Sequence, residues 1–165
     1  MKTVDFKTVQ GWNPCKDFPR GRIADLFAGR EKVTAADAFH VELRQDEHLW
    51  FVLREAFFHR HQLEHMAAQF ALHVWDLANN KDPNIANAFL HSVSASVGNF
   101  DLLPKDKRQD RWNKGATNPE KSAALAALWA ATARANTEKD TEKRLKKWNK
   151  ERDWQIKHVK EQAGM

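Results

Sequence analysis

Three histidines crowd one short run of the chain, FHRHQLEH, as His59, His61 and His65. On a helix His61 and His65 stand one turn apart on the same face. That is the spacing of two-histidine metal sites, and Glu55 or Glu64 would add a carboxylate oxygen. His73 follows two turns beyond His65, roughly in line. A zinc or di-iron centre also needs ligands from another helix. The Glu-x-x-His pairs of di-iron bundles and the His-Glu-x-x-His signature of metalloproteases are both missing from the sequence. Exposed histidines on an amphipathic helix account for the cluster with fewer requirements. His59, His61 and His65 therefore stand as candidate ligands for a metal-dependent helical enzyme, the third-ranked reading, and no cofactor is expected. Cys15, between Pro14 and Lys16, is a weak nucleophile candidate, and the sequence has no glycine-rich phosphate loop or nucleophile elbow.

A second chemistry resides in charge and aromatic rings. Residues 1–98 hold 11 Lys and Arg against 12 Asp and Glu, whereas residues 99–165 hold 16 against 10. A basic half attracts nucleic acid, anionic lipid or an acidic protein. Lys105, Lys107, Arg108, Arg111 and Lys114, then Lys143, Arg144, Lys146, Lys147 and Lys150, are interleaved with Trp112, Trp148 and Trp154. Such rings stack on bases or anchor a protein interface. Asp106, Asp110, Glu142, Glu151 and Asp153 sit among them and would repel phosphate, and no helix-turn-helix, zinc-finger or RNP signature appears. The expectation is a protein partner, acidic in character, contacted by Arg108, Arg111, Trp112 and Trp154. Nucleic acid bound by the basic half is the alternative.

These residues need a scaffold. The chain has 165 residues, 42% hydrophobic and 30% charged, enough for one domain with its own core. Seven Trp and ten Phe, with no Tyr, supply large apolar surfaces. A single cysteine forms no internal disulfide, no apolar run is long enough to span a bilayer, and no signal-peptide core stands in residues 1–20. The expected location is cytoplasmic, with no membrane partner.

Residues 1–21 read as an irregular arm, broken by Gly11, Pro14, Pro19 and Gly21 and pinned by Val4, Phe6 and Val9. Residues 22–165 read as the helical domain. Arg22–Ala28 predicts a short helix ended by Gly29. Thr34, with Asp37 at N3, predicts a capping box and a helix to about Leu43. Asp46 opens the next helix, and the spacing of Leu63, Met66, Ala67, Phe70, Val74 and Leu77 predicts helix over 62–77. Asp82-Pro83 and Asn118-Pro119 are start signals. The first leads into a helix with Ser92, Ser94 and Ser96 on its polar side, and the second into an Ala-rich helix apolar nearly all round, hence central. Residues 99–118 read as the longest loop. Thr137 is the expected cap of a last helix whose apolar stripe is Leu145, Trp148, Ile156, Val159 and Ala163, with the stem of Arg152 between and Trp154 off it. No strand signal rises above background. The fold class is all-α: one compact, bundle-like multi-helix domain with an irregular N-terminal arm.

Three stretches resemble the helical putative immunity proteins of bacterial polymorphic-toxin systems: EHLWFVLR from Glu47 to Arg54, the helix Met66–Ala78 followed by Ala86–Ala95, and the Ala-rich helix 123–135 followed by ERDWQ from Glu151 to Gln155. The likeness spans residues 46–162 in outline; the tryptophan content and the 99–118 insertion depart from it. It implies a toxin-neutralising or related binding role, and no substrate, cofactor or catalytic residue.

Overall fold

The computed structural model describes residues 2–12, 20–104 and 116–165, and these form a mostly helical, compact fold. Asp5 caps the first helix, α1 (Phe6–Gly11), by accepting from the Thr8 N–H at 2.7 Å. Helix α2 (Arg20–Phe27) ends where Ala28 and Gly29 turn to positive φ, 44° and 78°. A left-handed C-terminal turn of this kind is nearly cost-free only at glycine. The Thr34–Asp37 capping box forms as read, but α3 (Ala35–Ala38) is one turn long and stops well short of Leu43. Next come α4 (Gln45–Val52) and α5 (Arg60–Leu72). Arg44, not Asp46, is the N-cap of α4, its N–H bonded to Glu47 Oε2 at 2.9 Å.

Two short strands were missed by periodicity. β1 (Thr3–Asp5) pairs antiparallel with β2 (Lys32–Thr34), with Val4 opposite Val33, both buried. Three residues are too few for an alternation to show. The segment read as an irregular arm thus contributes a strand and a helix, with Val4 and Val9 in the core.

Asp82 caps α6 (Pro83–Ser96) through the Asn84 N–H at 2.8 Å, with Pro83 in the first turn. Thr117, one residue before the expected Asn118, caps α7 (Asn118–Asn136), its N–H held by Glu120 Oε2 at 2.9 Å. The alanine pattern has the consequence read from it. Ala123, Ala126, Ala127, Ala130, Ala131 and Ala133 are fully buried, and α5 and α6 both pack along α7. Small side chains allow that close approach from several sides. Ser92 is a correction: it faces inward, and its hydroxyl donates to the Ala126 carbonyl at 2.9 Å, stitching α6 to α7.

The last helix, α8 (Thr141–Gln162), is capped by Asp140, which accepts from the Lys143 N–H, and not by Thr137, which closes α7. At 1.5 Å per residue it is about 33 Å long. No helix among the described residues is long and apolar enough to cross a membrane.

Candidate partner-binding site

Helix α8 is two helices in character. From Glu151 onward it is part of the core, where Glu151, Arg152, Gln155 and Val159 are buried. Before that it is solvated. Arg134 in α7 reaches Glu151, and Lys147 Nζ donates to Thr137 Oγ1 at 2.8 Å and pairs with Glu138 at 2.8 Å. The C-terminal end of α7 is therefore level with Lys147, and residues 141–146 run past it, every one of them exposed. That overhang is about 9 Å of helix. Leu145, expected in the apolar stripe, is 58% exposed.

Charge is concentrated on the overhang and the turn that follows it. Residues 141–150 carry Lys143, Arg144, Lys146, Lys147 and Lys150 against the single carboxylate Glu142. Glu142 neutralises Lys146 at 2.6 Å, and Arg144 donates to the Asn136 side chain at 2.9 Å. A helix N-terminus is already positive through its unpaired N–H groups, and cations in its first turns add to that field rather than oppose it. The placement lowers local stability and raises the attraction for an anionic surface.

What holds the overhang out is the ERDWQ stretch. Glu151, 3% exposed, accepts from His73 Nδ1 at 2.9 Å and 3.0 Å through its two oxygens and from Gln155 Nε2 at 3.4 Å. Gln155 also donates to the Ala127 carbonyl at 2.9 Å and accepts from Arg152 at 2.9 Å. The Arg152 guanidinium lies 5.0 Å above the Trp148 ring. Arg134 forks onto both oxygens of Asp76, at 2.7 Å and 2.9 Å, and donates to the His73 carbonyl at 2.9 Å. This Arg134 fork depresses the Asp76 pKa. Asp153, on the outer side, accepts from Gln45 of α4. One helical turn of sequence thus binds α8 to α4, α5 and α7. The stem of Arg152 fills the core gap as the stripe required, but the polar network was not legible, because its partners His73, Asp76 and Arg134 lie 17 or more residues away.

Trp154 is half-buried and covers a neighbour. Its ring lies parallel to His73 at 3.5 Å and to His158 at 5.3 Å, with the edge of Phe70 at 6.3 Å. Burial holds the His158 pKa below its ordinary value, with repulsion from His65 and His73 in the same direction and Glu161 opposing. Arg108, Arg111 and Trp112 lie outside the described residues, so of the four expected contacts only Trp154 is placed.

The histidine run falls at a helix start. His59 is the N-cap of α5, its N–H bonded to Gln62 Oε1 at 2.8 Å, and its exposed ring stacks on His61 at 5.7 Å. His59 also lines an open groove with Lys2, Phe57, Phe58 and Gln62. Glu64 is engaged by Arg60 at 2.8 Å. Among the described residues no three His, Cys, Asp or Glu side chains converge in a way that would hold a metal ion.

Comparison with family models, curated proteins and solved structures finds no match to the chain.

Proposed function

We propose that the chain is a non-enzymatic helical binding protein, of the inhibitor or immunity type, that docks an acidic protein partner on the overhanging basic half of α8. The observation that carries this reading is the first half of α8: five cations and an exposed Leu145 within residues 141–150, where residues 141–146 are all exposed and Arg144 and Lys147 reach back to Asn136 and Thr137 at the end of α7. Cations around an apolar side chain make a steering rim and a contact core. Trp154 is about two turns past Lys147 at its base, and Arg108, Arg111 and Trp112 remain part of the proposed surface. The resemblance to putative immunity proteins points the same way.

The runner-up, binding of nucleic acid, uses the same five cations on phosphates. The test is affinity capture from the native host with the parent chain and with a Lys143→Glu, Lys150→Glu variant, with captured material identified and then rebound in purified form. An acidic protein that binds the parent directly and is lost by the variant supports the reading. Direct binding of oligonucleotides of any sequence, with a steep salt slope, transfers the surface to the runner-up.

A further inference from the structure

The two imidazoles that lie parallel to the Trp154 ring are held in different ways. His73, at the end of α5, has its Nδ1 at 2.9 Å and 3.0 Å from the two oxygens of Glu151. An acceptor for its proton is in place in either charge state, so this part of the stack survives acid. His158, on α8 itself, has no such partner. Its side chain is 15% exposed and packs between Trp154 and the edge of Phe70, at 6.1 Å. Nε2 is buried and has no hydrogen-bond partner among the described residues. Nδ1 lies on the side of Glu161, at 4.0 Å, beyond hydrogen-bond range.

A neutral imidazole fits this place. With its proton on Nδ1 it leaves only a lone pair inside, whereas an imidazolium carries an N–H on both nitrogens. The second N–H would point into the contact between α5 and α8, with no acceptor among the described residues, and a buried charge without a partner is the costly state. Burial is the main obstacle to a charge here; of the ionisable groups that face the ring, His65 and His73 repel one and Glu161 attracts it. Glu151, with Arg134 of α7 and Asp76 behind it, is taken up by His73. Glu161 is 57% exposed and stands three residues on, within reach of an imidazolium that has turned outward.

We infer that His158 is a proton-operated cover on Trp154: neutral, it packs against that ring and Phe70, and protonated, it swings out to Glu161 and opens the Trp154 ring to water. The event is a side-chain rotation on an intact helix, between two places that differ in what they offer the proton. The inner place offers apolar contact and no acceptor, and the outer place offers water and a carboxylate. Trp154 also belongs to the partner surface proposed above, so its contact with a partner becomes pH-dependent. That consequence rests on the functional reading, while the cover itself operates without a partner and is tested without one.

The experiment is proton–nitrogen NMR of the purified chain labelled at tryptophan, with Trp154 identified as the indole signal lost in Trp154→Phe. Spectra run from about pH 8 to about pH 5, on either side of the ordinary histidine pKa of about 6.5, with and without a soluble gadolinium chelate that broadens water-exposed signals. The expected result is that the chelate broadens the Trp154 indole more on the acid side, with helicity by circular dichroism unchanged. His158→Phe, which keeps a ring in place and takes no proton, should abolish that increase. Glu161→Gln, at an exposed position, should move its midpoint to lower pH, because the charged ring loses the carboxylate that receives it. Broadening that is flat with pH, an increase that persists in His158→Phe, one that comes only with loss of helicity, or a midpoint indifferent to Glu161→Gln would overturn the inference.

Discussion

Replacing Glu151 by Gln tests how α8 is held. The substitution keeps shape and volume, so no cavity contributes. It removes the charge that His73 and Arg134 face, and it places an amide NH₂ where Gln155 Nε2 is already a donor at 3.4 Å. Hydrogen bonds to a charged group contribute about 1.5–3 kcal/mol each, and a buried donor left without a partner costs about 1–3 kcal/mol. The contact of Arg134 at 3.8 Å adds little, because that side chain is partly solvated and keeps Asp76. One His73 bond weakened and one amide donor left without an acceptor give a loss of about 2–4 kcal/mol. Urea unfolding followed by circular dichroism at 222 nm measures it, with an unchanged slope and a lower midpoint as the signature. Glu151→Ala should cost more, by the added cavity. A loss below about 0.5 kcal/mol, the range of ordinary surface changes, would refute the claim that this carboxylate anchors the helix.

Three further outcomes follow from the same geometry. Glu120→Ala should destabilise by about 3–5 kcal/mol, because it leaves the buried Arg54 guanidinium, between Trp12 and Trp50, without its carboxylate at 3.5 Å; the double change Arg54→Met, Glu120→Leu should cost less than the single one, as a double-mutant cycle in urea will show. Burial lowers the pKa values of His48, His91 and His158. The unfolded chain then binds more protons, so their contribution to stability is full above about pH 6.5 and is lost as pH falls below it. Melting temperatures between pH 8 and 5 should decline only on the acid side, less so in His158→Phe, and a flat profile would contradict the assignment. Ala127→Leu or Ala130→Leu, both at fully buried positions, should cost about 1–3 kcal/mol by overpacking, and unchanged denaturation midpoints would place α7 outside the core.

Local signals in the sequence translated well where the physics is local. The Thr34–Asp37 box, Asp82-Pro83 and the alanines of α7 each act through neighbours within a turn; the last two gave the helices they implied, and the box formed but opens only the single turn Ala35–Ala38 rather than a helix to Leu43. Thr137 and Asp140 show the limit: both are competent caps three residues apart, and the choice of Asp140 depends on where α7 stops. Ser92 and Leu145 were assigned to the wrong sides because the helical period gives a face but not what lies against it. Ser92 is inside since its hydroxyl finds the Ala126 carbonyl, and Leu145 is outside since α7 ends before reaching it. The strand pair Thr3–Asp5 with Lys32–Thr34 and the Glu151–His73–Arg134 network are contacts between distant residues, invisible to spacing. Of the candidate site, the basic run and Trp154 were legible. The overhang that separates a displayed helix from a packed one was not.

The central claim is that the first half of α8 is a docking surface for an acidic protein. The most direct measurement is the affinity of the purified native partner for the parent chain and for Lys143→Glu, Lys150→Glu, each at low and high salt. The account predicts slower association and at least tenfold weaker binding for the variant, a shallower salt dependence, and an unchanged melting temperature. Equal affinity and equal salt dependence for the two proteins would contradict it.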